Sequence, residues 1–133
     1  MTDWQSPFAV LLTQAEGMSV IHETVFEDRF GYVEQLKAMG AVIEVYDTCL
    51  GGSPCRFAAT AARHSAVIRG PTRLQGARLR MPDLRAGFTV LIAAIAAEGE
   101  SVLLDVDHID RGYEQIDESL RQLGASIERI DGN

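Results

Sequence analysis

The same run of signals occurs twice along this chain, and that repeat narrows the folds open to it more than any other feature. Ala15-Glu16-Gly17 returns as Ala97-Glu98-Gly99, and Asp28-Arg29 returns as Asp110-Arg111 at the same offset of 82 residues. Met39-Gly40-Ala41 corresponds to Leu123-Gly124-Ala125 with two residues added, and Asp3 and Asp83 each stand five residues before a helix phenylalanine, Phe8 or Phe88. Self-similarity on this scale reads as two copies of one βα unit, each burying its helices against a sheet. The units are expected over 1–46 and 77–133, joined by a loop or hairpin excursion over 47–76. The last copy needs neighbours, since both termini run straight into secondary structure.

Periodicity fills in the units. After Ser6-Pro7, the apolar residues Phe8, Leu11, Leu12 and Ala15 recur at helical spacing and stop at Gly17. Val20 to Phe26 reads as a strand, Phe30, Val33, Leu36 and Met39 as a second helix ending at Gly40, and Ala41 to Tyr46 as another strand. Asp47 to Arg63 holds Gly51-Gly52-Ser53-Pro54 and no clear period, which makes it a long loop. Ser65 to Arg69 and Ala77 to Met81 read as short strands around Gly70-Pro71. Phe88, Leu91, Ile92 and Ile95 then mark a third helix, Val102 to Val106 a strand, Tyr113, Ile116, Leu120 and Leu123 a fourth helix stopping at Gly124, and Ser126 to Ile130 a final strand. The fold class is α/β (α+β), with amphipathic helices packed together on one side of a mixed sheet.

An apolar fraction of 47% with 23% charged residues belongs to a globular protein and argues against disorder. The net charge of −7 argues against a broad nucleic-acid or anionic-membrane surface, while leaving room for a few arginines to converge on a small anion. The longest apolar run, Val90 to Ala97, is too short to cross a bilayer and the N-terminus shows no secretory signal, so no membrane partner and a cytoplasmic location are expected. Two cysteines, Cys49 and Cys55, are too sparse for a disulfide scaffold and are expected as thiols. With His64 they do not form a standard zinc knuckle and the spacing offers no fourth ligand, so neither metal nor cofactor is expected. His22 and His108 read as ordinary strand and loop residues, and Gly51-Gly52 as a turn.

Four blocks carry a resemblance that spans nearly the whole chain. Thr2-Asp3-Trp4-Gln5-Ser6-Pro7-Phe8 with Leu12-Thr13-Gln14-Ala15-Glu16-Gly17 resembles the T-D-x-Q-x-x-F…T-Q-A-E-G segment of the UDP-N-acetylglucosamine enolpyruvyl transferases. Glu23-Thr24-Val25-Phe26-Glu27-Asp28-Arg29-Phe30, Pro82-Asp83-Leu84-Arg85-Ala86-Gly87 and Asp110-Arg111-Gly112-Tyr113-Glu114 follow in that family's order and at about its spacing. Two departures stand out. Asp47 to His64 is longer than the short hairpin expected there, and the family's Lys-Asn pair and glycine-rich loop with a reactive Cys have no counterpart. Cys55, in Gly52-Ser53-Pro54-Cys55-Arg56-Phe57, lies at the wrong place in the order to be that thiol.

The resemblance implies the C-terminal part of an enzyme with an inside-out α/β barrel. Such an enzyme moves enolpyruvyl from phosphoenolpyruvate to the 3-hydroxyl of UDP-N-acetylglucosamine, the first committed step of peptidoglycan precursor synthesis. It implies Asp3 as the base at the sugar hydroxyl, Arg85 and Arg111 toward phosphoenolpyruvate, Arg29 toward the closed cleft, Val25 as a backbone contact to the UDP-sugar, and Asp83 and Leu84 beside Arg85 in the binding set. Without the resemblance, Asp3 reads equally as an exposed residue at a helix start, and Arg29, Arg85 and Arg111 as solvated or Asp-paired cations set against the positive end of a helix dipole. The implied partners are the two small-molecule substrates and a missing N-terminal part or complementary chain, with self-association through uncovered apolar surface. Rival readings are a 3-phosphoshikimate 1-carboxyvinyltransferase-like enzyme and a non-catalytic binding or assembly module. Alone, the chain is expected to be inactive.

Overall fold

A computed structural model describes residues 2–50 and 53–130, so the turn expected at Gly51-Gly52 lies outside the described residues. After a 3-10 turn at Thr2–Trp4 the order is α1 (Gln5–Gln14), β1 (Gly17–His22), α2 (Val33–Ala38), β2 (Val42–Tyr46), β3 (Ser65–Gly70), β4 (Arg78–Arg80), α3 (Leu84–Ala96), β5 (Val102–Leu104), α4 (Asp107–Gly112) and α5 (Ile116–Gln122). Helices and strands are interspersed, as the expected α/β class implies, with antiparallel and parallel pairings among the described residues in two separate sheets and not in one mixed sheet. β3 is the centre of a three-stranded antiparallel sheet ordered β1-β3-β2, and β4 pairs with β5 in parallel across the α3 crossover.

The core lies between these sheets and the helices. Ile21, Ile43, Ala66 and Ile68 supply its sheet side, and Leu36, Met39, Val90, Leu91 and Ala93 its helix side. α2 stops because Gly40 takes a left-handed φ of +101° while Gly40 N–H and Ala41 N–H cap the carbonyls of Lys37 and Leu36. Gly70 is needed for a different reason: a Cβ there would run into the carbonyls of Leu12, Thr13 and Ala15, so β3 could not end against α1.

α1 and α3 pack against each other, and α1 does so without Phe8 and Leu11, two of the large apolar residues that announced it. The buried face of α1 is Gln5, Ser6, Ala9, Val10 and Thr13, and that of α3 includes Ala86, Gly87, Thr89, Val90 and Ala93. Small side chains let the two backbones approach closely, so Phe8 and Leu11 fall outside, at 50% and 61% exposure. With Trp4 they form an uncovered apolar stripe along α1.

Three expected elements are corrected. The strand expected over Val20 to Phe26 is instead Gly17–His22, because Glu23 turns inward and draws Val25 and Phe26 out of the ladder. The fourth helix, expected from Tyr113, begins only at Ile116, after Gln115 at a left-handed φ of 50°, and a short helix that was not expected, α4, precedes it. Ser126 to Ile130 forms no strand, since no described strand lies alongside to complete its hydrogen bonds. Arg129 ties this segment down instead, gripping Asp110 and Asp117.

Candidate functional site

The 3-10 turn before α1, the loop leading to α2 and the first turn of α3 meet at one place. There the Asp3 carboxylate lies 3.5 Å from the Arg29 guanidinium and 3.7 Å from that of Arg85. The three side chains differ in exposure: Arg29 is nearly buried at 14%, Arg85 is half-exposed, and Asp3 stands in solvent at 78%. Arg29 is seated from behind by the Phe26 ring, 4.1 Å from its guanidinium carbon. Below them opens a pocket of about 180 Å³ lined by Arg29, Arg85, Asp83, Ser6, Asp28 and neighbouring residues. Two cations, Arg29 and Arg85, line it beside three acids, Glu27, Asp28 and Asp83, and the cations are the groups there that can hold a small ligand carrying carboxylate or phosphate.

Asp83 has a local task. Its carboxylate accepts a 2.9 Å hydrogen bond from Ala86 N–H as the N-cap of α3, leaving the first-turn N–H groups of Leu84 and Arg85 without intrahelical acceptors. The Leu84 side chain turns away and abuts Gly112, where any Cβ would collide with it. That contact brings the end of α4 beside the start of α3. Arg111 is exposed in the last turn of α4, outside the pocket lining, and forms no ion pair with any described residue. Of the three arginines expected at helix starts only Arg85 is at one; Arg29 sits in a loop, and Arg111 sits where a helix dipole favours it.

In the sequence Glu23 stands out only as part of the Glu-Thr-Val-Phe block, yet this residue organises the site. Its buried carboxylate accepts hydrogen bonds from Gln5 Nε2 at 2.9 Å, Thr2 Oγ1 at 3.0 Å, Val25 N–H at 3.0 Å and Phe26 N–H at 3.2 Å. Burial alone would raise its pKa, but the bonds from Gln5, Val25, Phe26 and Thr2 outweigh that and hold it below the ordinary carboxylate value. Tyr32 donates to Gln5 Oε1 at 2.7 Å, and burial beside Glu23 pushes its phenol well up. One buried acid thus joins the segment carrying Asp3 to the loop carrying Arg29. It also occupies the Val25 N–H. In the sequence alone, its place at the head of the Glu23-Thr24-Val25-Phe26 block was the one available signal.

A larger depression of about 460 Å³ lies at α4 and α5, lined by Asp110, Glu114, Gln115, Asp117, Glu118 and Arg129. Its lone cation is already held by two carboxylates, so it suits an anionic substrate poorly.

A second cluster corrects the expectation that Cys49, Cys55 and His64 lack a fourth partner. His22 joins them, and the ligand-type atoms of all four lie within 4.8 Å of one another. Sequence spacing hid His22 because β1–β3 pairing, which sets His22 opposite Ser65, brings it there.

Comparison with known proteins bears on the whole chain. A family model described as EPSP synthase (3-phosphoshikimate 1-carboxyvinyltransferase) matches residues 1–120. A UDP-N-acetylglucosamine 1-carboxyvinyltransferase of Protochlamydia amoebophila is 51% identical over 98% of this chain, and one of Granulibacter bethesdensis is 42% identical over 98%. The crystal structure of the enolpyruvyl transferase NikO from Streptomyces tendae superposes on all of the chain with a TM-score of 0.81 at 32% identity. The chain spans 28% and 27% of the length of these two relatives and 27% of the NikO chain. With the matched residues covering nearly all of it, the chain belongs to the EPSP synthase family of enolpyruvyl transferases.

Proposed function

We propose that the chain is the C-terminal part of an enzyme that transfers enolpyruvyl from phosphoenolpyruvate to the 3-hydroxyl of UDP-N-acetylglucosamine, the first committed step of peptidoglycan precursor synthesis. On this reading it acts in the cytoplasm and serves cell-wall biogenesis, and through it cell shape and division. The observation that carries it is the approach of Asp3 to Arg29 and Arg85 over the pocket. Relatives at 42% and 51% identity that carry the UDP-sugar name favour this substrate over 3-phosphoshikimate.

In the proposed chemistry Asp3 takes the proton of the sugar hydroxyl, and the arginines hold the carboxylate and phosphate of phosphoenolpyruvate. An incoming anion competes with Asp3 for the guanidiniums, freeing its carboxylate as the substrate seats. Arg85 and Arg111 serve phosphoenolpyruvate, Arg29 the cleft, and Val25 the UDP-sugar through its backbone, with Asp83 and Leu84 shaping the α3 start. The units 1–46 and 77–133 are two βα repeats of a larger barrel. The rest of a longer polypeptide, or a complementary chain, would cover the Trp4, Phe8 and Leu11 stripe, which otherwise promotes self-association.

Calorimetric titration with UDP-N-acetylglucosamine, with and without phosphoenolpyruvate, tests the binding half of this reading. Heat that depends on both ligands is expected, together with no phosphate release from the isolated chain. In a reassembled enzyme, Arg85→Ala and Arg111→Ala should each weaken phosphoenolpyruvate binding roughly ten- to a hundredfold, the effect of losing one charge-assisted contact. Turnover by the isolated chain, or unchanged affinity in both variants, would count against the assignment.

A further inference from the structure

We propose that His22, Cys49, Cys55 and His64 form a closed tetrahedral zinc site that fastens the long β2–β3 connection to the end of β1. The four side chains come from three places: His22 ends β1, His64 leads into β3, and both cysteines sit in the intervening loop. Two thiolates and two imidazoles are a ligand set that zinc takes in four-coordinate structural sites. Cys49 Sγ lies 3.3 Å from Cys55 Sγ and 3.4 Å from His64 Nε2. Those separations approach the edge of a tetrahedron built on zinc–ligand bonds of about 2.0 to 2.3 Å. A disulfide would need its sulfurs at about 2.05 Å.

The surroundings are those of an outer shell. His64 Nδ1 lies 2.8 Å from the Ala62 carbonyl, a bond in which Nδ1–H donates, which leaves Nε2 with a lone pair toward Cys49. Cys55 N–H points at Cys49 Sγ at 3.3 Å and Phe57 N–H at Cys55 Sγ at 3.4 Å, donors that stabilise thiolates. His22 Nε2 is buried and has no hydrogen-bond partner among the described residues. A divalent cation would satisfy that nitrogen and balance two thiolates, and binding would release the two thiol protons. With four protein ligands there is no open position, so the role is structural. The site adjoins the functional one through the chain itself, since Glu23 follows His22 and donates its N–H to the His64 carbonyl at 2.7 Å.

The test uses the whole chain purified under reducing conditions and loaded with zinc alone. One zinc per chain is expected by elemental analysis, and cobalt in its place should give the intense visible absorption of a tetrahedral ion with thiolate-to-cobalt charge transfer. Cys49→Ser and His22→Ala should each weaken zinc binding by more than the roughly 10- to 100-fold lost when only an outer-shell partner is removed, whereas His108→Ala, outside the cluster, should retain it. Because a ligand variant that fails to fold would also lose metal, wild-type stoichiometry and the cobalt spectrum decide the matter. A folded wild-type chain that takes up no zinc, an octahedral cobalt spectrum, or equal loss in His108→Ala would overturn the proposal.

Discussion

The two repeats, 1–46 and 77–133, carry matching sequence signals, yet only the strands of the first join a three-stranded sheet. In the first, β3 gives both β1 and β2 a partner. In the second, β4 and β5 stand as a pair, α5 has no buried residue, and Ser126 to Ile130 forms no ladder. The deciding strand, β3, comes from the excursion between the two repeats rather than from either of them. A strand signal is therefore conditional: β-branched residues make extended backbone available, and a neighbour supplies the hydrogen bonds that hold it.

The widest separation should come from placing one charge in each region. Ile68→Asp, at the fully buried centre of β3, should cost more than about 4 kcal/mol and abolish a cooperative urea transition, since an unpaired carboxylate cannot be accommodated there. Ile130→Asp, at 78% exposure, should stay within about 0.5 kcal/mol of wild type. Comparable losses would erase the distinction between the regions.

Glu23→Gln should fall between these, costing about 2 kcal/mol near neutral pH, because the charge is lost and an NH2 replaces one of the two oxygens that share four donors. The sign of its pH dependence follows from the lowered folded pKa. Its contribution is full above the unfolded carboxylate value of 4.5 and disappears as pH falls through the lower folded value. Urea melts from neutral to acid pH should show wild type and variant converging in acid; a constant gap would mean that the charge is immaterial.

Arg129→Ala should have the smallest effect, below about 1 kcal/mol, because its partners Asp110 and Asp117 are solvent-accessible even though pairing pushes Arg129 up and Asp117 down. Molar salt should remove the difference, as it shortens the screening length to about 3 Å. A larger, salt-insensitive loss would show that the second region has more structure than its contacts imply.

These contrasts also mark what the sequence made legible. The existence of α1, α2 and α3 was readable from apolar period and glycine stops, but the buried face of α1 was not, because the seam selects Ser6, Ala9 and Thr13 for size and not hydrophobicity. α4 escaped notice since Ile109 is its one buried residue and no stripe forms. Asp3, Arg29 and Arg85 were found through motif resemblance; their meeting depends on Glu23, whose role emerges only when Thr2 and Gln5 fold onto it. His22 was likewise an unremarkable strand residue until β1–β3 register set it beside two thiols.

The most direct test of the functional account is a chimera in which this chain replaces the matching segment of the Protochlamydia amoebophila relative, assayed for phosphate release from phosphoenolpyruvate and UDP-N-acetylglucosamine. The account predicts turnover by the chimera and a fall in kcat of roughly a hundredfold or more in Asp3→Asn, with KM for phosphoenolpyruvate little changed, because the substitution keeps size and hydrogen bonding but removes the base. Near-normal kcat in Asp3→Asn, in a chimera that turns over, would contradict it.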